Sequence, residues 1–120
     1  MWIPALLTSL LLGANAPLQG QSMASMLREP SPEERLMSRI EALVVMPTGT
    51  SPLHEYTRSY AWAPGKTKVT AIFFRDGLNK RKWVPEGELP QIFDGGCSVV
   101  TVVFDVGLDK IERVGCNGVA

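Results

Sequence analysis

The apolar residues that follow position 31 recur first with the spacing of a helix. Because they stand three or four residues apart, they share one face: Leu36, Ile40, Leu43 and Val44. The polar residues between them lie off this stripe: Arg35, Ser38, Arg39 and Glu41. The segment Ser31-Pro32-Glu33-Glu34 combines a capping hydroxyl, a first-turn proline and a glutamate three residues after the cap. We expect the helix to end near Val45 or Met46, because Pro47 disfavours helical conformation before it.

Period-two alternation then predicts two strands. One runs from Tyr56 to Trp62 and the next from Lys68 to Arg75, with Pro64-Gly65 as a turn signal between them. The alternation places larger side chains on one side of the first strand: Tyr56, Arg58, Tyr60 and Trp62. We expect this face to pack in the core, although the same face is a possible ligand surface. A third, short edge strand is expected at Trp83-Val84, where Pro85 stops it.

The segment from Cys97 to Asp105 is the most strand-like part of the chain. Its valines occupy both parities, which predicts a central strand covered on both faces or buried in a dimer. A returning strand is expected from Lys110 to Cys116. If Cys97 stands opposite Cys116, position 99 meets 114, 101 meets 112 and 103 meets 110. The sequence therefore predicts a disulfide that closes the open end of a C-terminal hairpin.

These elements predict an α+β fold, with one amphipathic helix packed on an antiparallel sheet of about four strands. The expected organisation is a signal-like segment over 1–16, a flexible linker over 17–30 and a single domain over 31–120. The apolar run from Trp2 to Ala14 is too short to span a bilayer comfortably. Cleavage is expected after Ala16 or Ala24, although no Lys or Arg precedes the apolar run. We therefore expect a periplasmic or secreted protein, or alternatively one tethered to the membrane by an uncleaved segment.

Charge and cysteine content narrow the function classes. The chain has 12 Lys and Arg against 12 Asp and Glu, so its formal net charge is zero. A neutral chain gives no reason to expect nucleic acid as a partner, and no stable membrane span is expected. The two cysteines favour a structural disulfide over free thiols or a redox pair, since they lack C-x-x-C spacing. Beyond them His54 is the one other soft ligand, so neither a metal nor a cofactor is expected.

The residues with catalytic potential are few. His54 is the sole histidine, and with Cys97 and Asp94 it supplies the residue types of a nucleophile, a base and an orienting group. No glycine-rich phosphate loop or paired-carboxylate spacing accompanies them. The sequence therefore indicates a protein that is not an enzyme. The alternative is a small enzyme that uses His54 with Cys97 or with a carboxylate.

The binding surface is expected in the long connection before the C-terminal hairpin. The connection combines an aromatic residue, two prolines and acidic side chains, and long loops in small domains are often functional. The candidate binding residues are Trp83, Glu86, Glu88 and Asp94. A rigid, proline-braced crossover is the structural alternative. We expect a non-catalytic binding or interaction module, monomeric or homodimeric, for an unknown protein or small molecule; a structural envelope component or homodimer is a further alternative.

Overall fold

The computed structural model describes residues 28–118, and within them the chain forms one α-helix followed by five strands. The compact unit that holds these elements begins at Pro32. The predicted signal-like segment, its cleavage sites and linker residues 17–27 lie outside the described residues. Within that range, no helix is long and apolar enough to cross a membrane. The elements are α1 (Pro32–Leu43), β1 (Tyr56–Trp62), β2 (Lys68–Arg75), β3 (Arg81–Trp83), β4 (Val99–Asp105) and β5 (Lys110–Cys116).

The predicted α+β class is confirmed, with one correction to the sheet. The sheet has five strands in the order β3-β1-β2-β4-β5, and β3 runs parallel to β1, so it is mixed rather than wholly antiparallel. The reason is the length of the connection after β2. Because β2 ends beside Tyr56 at the start of β1, the short segment 76–80 returns the chain to that same end. The next strand can then only run alongside β1 in its own direction.

The predicted apolar stripe of α1 is confirmed. Ile40 is fully buried, and the other three residues of the stripe are partly buried against the core. Met37 is also buried, because it stands three residues before Ile40 and so shares its face of the helix. The helix ends at Leu43, slightly earlier than expected, although the Val44 amide still donates to the Ile40 carbonyl at 2.9 Å. Residues 44–52 connect this end to a 3-10 turn, Leu53–Glu55, which directly precedes β1.

The core lies between α1 and the side of the sheet that faces it. It takes alternate residues from three adjacent strands, as period-two alternation requires: Tyr56, Tyr60, Val69, Ala71, Phe73, Val100, Val102 and Phe104. The face of β1 with Tyr56 and Tyr60 is therefore packed in the core, as expected. Val99 and Val103, which have the opposite parity in β4, are buried as well. The prediction of a central strand covered on both faces is thus confirmed for β4.

The predicted disulfide is present, but the predicted strand register is wrong. Cys97 and Cys116 are bonded, with their Cα atoms 4.5 Å apart. Cys116 pairs with Val100 in the ladder, whereas Cys97 lies before β4 in a 3-10 turn, Gly96–Ser98. Gly95 makes this turn possible: its φ is +102°, and a Cβ there would come within 2.9 Å of Val99 Cγ2. The turn places Cys97 beside Cys116, although Cys97 is not part of the ladder between β4 and β5.

The connection between β3 and β4 crosses the sheet. β3 lies outside β1 and β4 lies beyond β2, so residues 84–98 pass both intervening strands. The far end of this crossover is tied to the C-terminal hairpin through Asn117. Its Nδ2 donates to the carbonyls of Ile92 and Asp94, while its Oδ1 accepts a hydrogen bond from Thr101 Oγ1 at 3.0 Å. These bonds hold the crossover against β4 and β5.

Candidate functional site

A polar cleft lies beside the start of β1. Its volume is about 330 Å³. Four structural elements contribute to it: the last turn of α1, the 3-10 turn Leu53–Glu55, β1 and the 76–80 connection. The residues that line it are Glu41, Leu53, His54, Arg58 and Asn79. Four of the five carry polar or charged side chains, and Leu53 is the apolar one.

Arg58 is the buried cation of the cleft. The alternation of β1 places it between Tyr56 and Tyr60 on the side that faces α1, and only 7% of the residue is exposed. Its Nε donates to Glu41 Oε2 at 3.0 Å. Its Nη1 lies within hydrogen-bond distance of three acceptors: the carbonyls of Leu53 (3.0 Å) and Tyr56 (2.9 Å) and Oδ1 of Asn79 (3.1 Å). These four acceptors hold the guanidinium through two of its three nitrogens.

Glu41 is the counter-ion of Arg58, although the helical spacing of the apolar residues alone would place it in solvent. It stands off the predicted stripe, yet only 17% of its side chain is exposed. The reason is that Glu41 lies one helical turn after the buried Met37, on the same face of α1. Oε2 accepts from Arg58 Nε and from the Tyr60 hydroxyl at 2.5 Å, and Oε1 accepts from Arg81 Nη1 at 3.3 Å. One carboxylate therefore joins α1 to both β1 and β3.

The raised pKa of Tyr60 shows that the hydrogen-bond network around Glu41 is shielded from water. Burial, together with the hydrogen bond to Glu41 and the negative charge of Glu41, raises the pKa of Tyr60 above its ordinary value of 10.0. The nearby guanidinium groups of Arg58 and Arg81 oppose this shift but do not outweigh it. Tyr60 is therefore a neutral hydrogen-bond donor to Glu41 throughout the physiological pH range.

Asn79 forms the outer wall of the cleft. Its φ is +50°, a left-handed conformation that asparagine adopts more readily than most residues. Because its Oδ1 accepts the hydrogen bond from Arg58, the orientation of the amide is set and Nδ2 remains as a donor. His54 also lines the cleft and is exposed on the 3-10 turn. Asn79 Nδ2 is therefore a donor beside the buried guanidinium of Arg58, while Glu41 adds a carboxylate to the lining.

The residues predicted as a binding surface lie elsewhere. Trp83 is packed against Trp62 with ring centroids 5.8 Å apart and contributes to the edge of the core. Glu86, Glu88 and Asp94 are exposed in the crossover, and none of these four residues lines the cleft. Their role in binding stays a prediction.

The catalytic and metal candidates are placed as follows. His54 lines the cleft, but Cys97 does not, and the sulfur of Cys97 is bonded to Cys116. The pairing of His54 with Cys97 needs a free thiol, and Cys97 carries none while that bond is intact. Across residues 28–118, no group of three or more His, Cys, Asp or Glu side chains is arranged to hold a metal ion.

Sequence reasoning missed three residues of the cleft, Glu41, Leu53 and Asn79, and it named Arg58 only as part of an alternative ligand surface on β1. The sequence does carry signals for Arg58 and Asn79. Arg58 is a charged residue at a position that the alternation of β1 assigns to the core, and such a residue requires a buried partner. Asn79 follows Asp76-Gly77, in a segment whose composition favours left-handed backbone conformations. No pattern in the sequence links either residue to Glu41.

Comparison of the chain with protein-family models, with curated proteins and with solved structures finds no match.

Proposed function

We propose that this domain is a non-catalytic binding module that acts after export, and that the polar cleft is its ligand site. The observation that carries the proposal is the buried guanidinium of Arg58, which lines the cleft and is fixed there by Glu41 and Asn79. A buried ion pair usually gives a fold no more stability than apolar residues of similar size. A fixed cation at the wall of a cleft does, however, provide an oriented contact for a ligand.

The contacts made by Glu41, Tyr60 and the two cysteines support binding rather than catalysis. Glu41 accepts hydrogen bonds on both carboxylate oxygens and is held by two arginines, so it is a poor candidate for a general base. Tyr60 is held neutral beside it. Both cysteines are bonded to each other. With Glu41 and Tyr60 engaged in this way and no thiol in the cleft, the groups around Arg58 are suited to hold a ligand without transforming it.

The disulfide supports the exported location. Disulfides persist in oxidising compartments, and a domain of this size gains considerably from one cross-link. We expect the intact mass of the protein from its natural compartment to lack the N-terminal segment and both thiol hydrogens. A full-length mass with two alkylatable cysteines would contradict the proposed location.

A fragment screen monitored by backbone amide NMR tests the ligand site. Isotope-labelled, oxidised protein is mixed with a library of small polar fragments that covers anionic, cationic and neutral classes. We expect the hits to shift the amides of Leu53, Arg58 and Asn79. Hits that shift only Glu86, Glu88 and Asp94 would move the site to the crossover. A library that shifts none of these amides would contradict the proposed function.

A small enzyme is the second candidate, because His54 and Glu41 line the same cleft. The two candidates differ in the fate of the ligand. A fragment that binds in the cleft is incubated with the protein for a day and recovered for mass spectrometry. The binding module returns it unchanged, whereas an enzyme returns a product whose formation stops in His54→Gln.

A further inference from the structure

We propose that the ligand of the polar cleft is a carboxylate, held by Arg58 and by Nδ2 of Asn79. This proposal rests on the proposed function and adds the chemical class of the ligand. Three observations carry it: the charge balance around Glu41, the hydrogen-bonding capacity that the cleft still has, and its size.

The charge balance favours an anion. Glu41 is a single carboxylate in contact with two guanidinium groups, those of Arg58 and Arg81, so the network keeps one positive charge. Arg58 is the more buried of the two, with 8% of its side chain exposed against 31% for Arg81. Because charge interactions are less screened away from water, an anion in the cleft gains more from Arg58 than it would from a surface arginine.

The remaining hydrogen-bonding capacity consists mainly of donors. The carbonyls of Leu53 and Tyr56 and Oδ1 of Asn79 already accept from Arg58 Nη1. Among residues 28–118, no acceptor takes a hydrogen bond from Arg58 Nη2 or from Asn79 Nδ2. A carboxylate offers two acceptor oxygens and no donor, and guanidinium groups bind it in a planar arrangement. A cationic or donor-rich ligand would have to share these acceptors with Arg58.

The size of the cleft restricts the ligand. A volume of about 330 Å³ lies at the lower limit of the roughly 300–1,000 Å³ that is usual for ligand pockets. The cleft therefore accommodates a small carboxylic acid or the final residue of a peptide with its free carboxylate. Leu53 supplies an apolar wall for a short aliphatic group. Both sources share the carboxylate, and the experiment separates them.

The test compares probes that match in size and differ in charge. The oxidised protein is titrated with propionate, propionamide and propylammonium, and amide shifts are recorded for Leu53, Arg58 and the side chain of Asn79. We expect propionate to bind at least about 10-fold more tightly than the other two, as expected when a charge-assisted hydrogen bond is gained. N-acetylalanine and its amide form a second pair. Tighter binding of N-acetylalanine than of propionate would assign the site to a peptide carboxyl terminus, and the reverse to a small acid.

Two variants with the same change in charge test the geometry. Asn79→Asp removes the Nδ2 donor and adds a negative charge beside Arg58, while the acceptor for Arg58 remains. Lys80→Gln lowers the net charge by the same amount at the neighbouring exposed position, which does not line the cleft. We expect Asn79→Asp to weaken propionate binding at least about 10-fold and Lys80→Gln less than about 3-fold. Neither change removes a buried side chain, so both variants should fold.

The outcomes separate this inference from the proposed function. If propionamide or propylammonium shifts the cleft amides as strongly as propionate, the carboxylate is wrong although the cleft remains a ligand site. Unchanged propionate binding in Asn79→Asp, or an equal loss in Lys80→Gln, also overturns the inference. If no fragment of any charge class shifts the cleft amides, the proposed function fails as well.

Discussion

The helix α1 covers two chemically different halves of the same sheet face. The apolar half, from β2 and β4, presents only hydrocarbon and aromatic side chains: Val69, Ala71, Phe73, Val100, Val102 and Phe104. The charged half, from β1 and β3, presents Arg58, Tyr60 and Arg81, and Glu41 near the end of α1 is their partner. Both halves are covered by one helix of 12 residues. Because one helix covers both halves, they differ in the chemistry of their side chains and not only in how deeply these are buried.

On the proposed function, stability and ligand binding reside in different strands. Burial of apolar surface stabilises a fold by about 25 cal/mol per Å² removed from water. A buried ion pair, by contrast, loses about as much through desolvation as it gains by attraction. The apolar half accordingly supplies most of the stability of this face. The charged half fixes the orientation of Arg58 in the cleft, and the predictions below test this division.

Phe73→Ala has the largest expected effect. Phe73 is fully buried in the apolar half, and its ring contacts those of Tyr56 and Tyr60 at centroid distances of 6.4 and 5.9 Å. The truncation leaves a cavity, so we expect a loss of about 3–5 kcal/mol in the free energy of unfolding. Urea denaturation measures this loss. A change below about 1 kcal/mol would show that the apolar half does not carry the stability of the fold.

Removal of the disulfide has the next largest effect. Cys97 and Cys116 are 19 positions apart, so the bond closes a loop of moderate length in the unfolded chain. We expect the double variant Cys97→Ser/Cys116→Ser to lose about 3 kcal/mol of stability in the chain-entropy view. Since neither cysteine lines the cleft, propionate affinity measured under native conditions should remain within about 2-fold of the parent. A large loss of affinity in a folded double variant would link the two regions.

The sequence predicts the apolar half well and the charged half poorly. Period-two alternation is a local property, so the residue pattern alone identifies Val69, Ala71 and Phe73 as one face of a strand. The partnership of Arg58 with Glu41 depends on how α1 lies across the sheet. No local rule fixes that placement, and Glu41 sits at the margin of the apolar stripe, where periodicity alone assigns it to solvent.

The cysteines illustrate the same limit. Their bond is predictable from composition and from the two strand patterns around them. The register is not, because it depends on Gly95 and on a bulge between Val103 and Phe104. Each of these features changes which residues of β4 and β5 pair, and no residue pattern in the sequence identifies either feature unambiguously. The predicted pairs 99 with 114, 101 with 112 and 103 with 110 are wrong for this reason.

Tyr60→Phe has an intermediate effect and a distinctive pH dependence. The hydroxyl donates to a charged acceptor, so we expect its removal to cost about 1.5–3 kcal/mol near neutral pH. The folded-state pKa of Tyr60 is raised, so its stabilising contribution is complete below the ordinary value of 10.0 and declines as pH rises above it. Unfolding curves from pH 8 to about pH 11 measure both effects. The gap between parent and variant should narrow in alkali; a gap that widens would contradict the assigned pKa shift.

Asp109→Asn has the smallest expected effect. Asp109 pairs with Arg39 of α1, but both side chains are about half exposed, at 54% and 49%. The hydrogen bond and charge of Arg39 lower the pKa of Asp109. The contribution of the pair is therefore present above the ordinary pKa of 3.8 and is lost as pH falls through the lower folded-state value. Thermal unfolding at low and at high salt measures it. We expect the small difference at low salt to disappear at high salt, and a loss as large as that of Tyr60→Phe would contradict the distinction between exposed and buried pairs.

The most direct test of the central claim is one triple variant, Glu41→Leu/Arg58→Met/Tyr60→Phe, measured for both stability and propionate binding. It replaces the charged half by apolar side chains and leaves no buried charge or hydroxyl of this network without a partner. If Arg58 and Glu41 serve the ligand, the free energy of unfolding stays within about 1–2 kcal/mol of the parent and propionate no longer shifts the cleft amides. A folded triple variant that binds propionate as tightly as the parent, or one that loses more than about 4 kcal/mol of stability, would contradict the account.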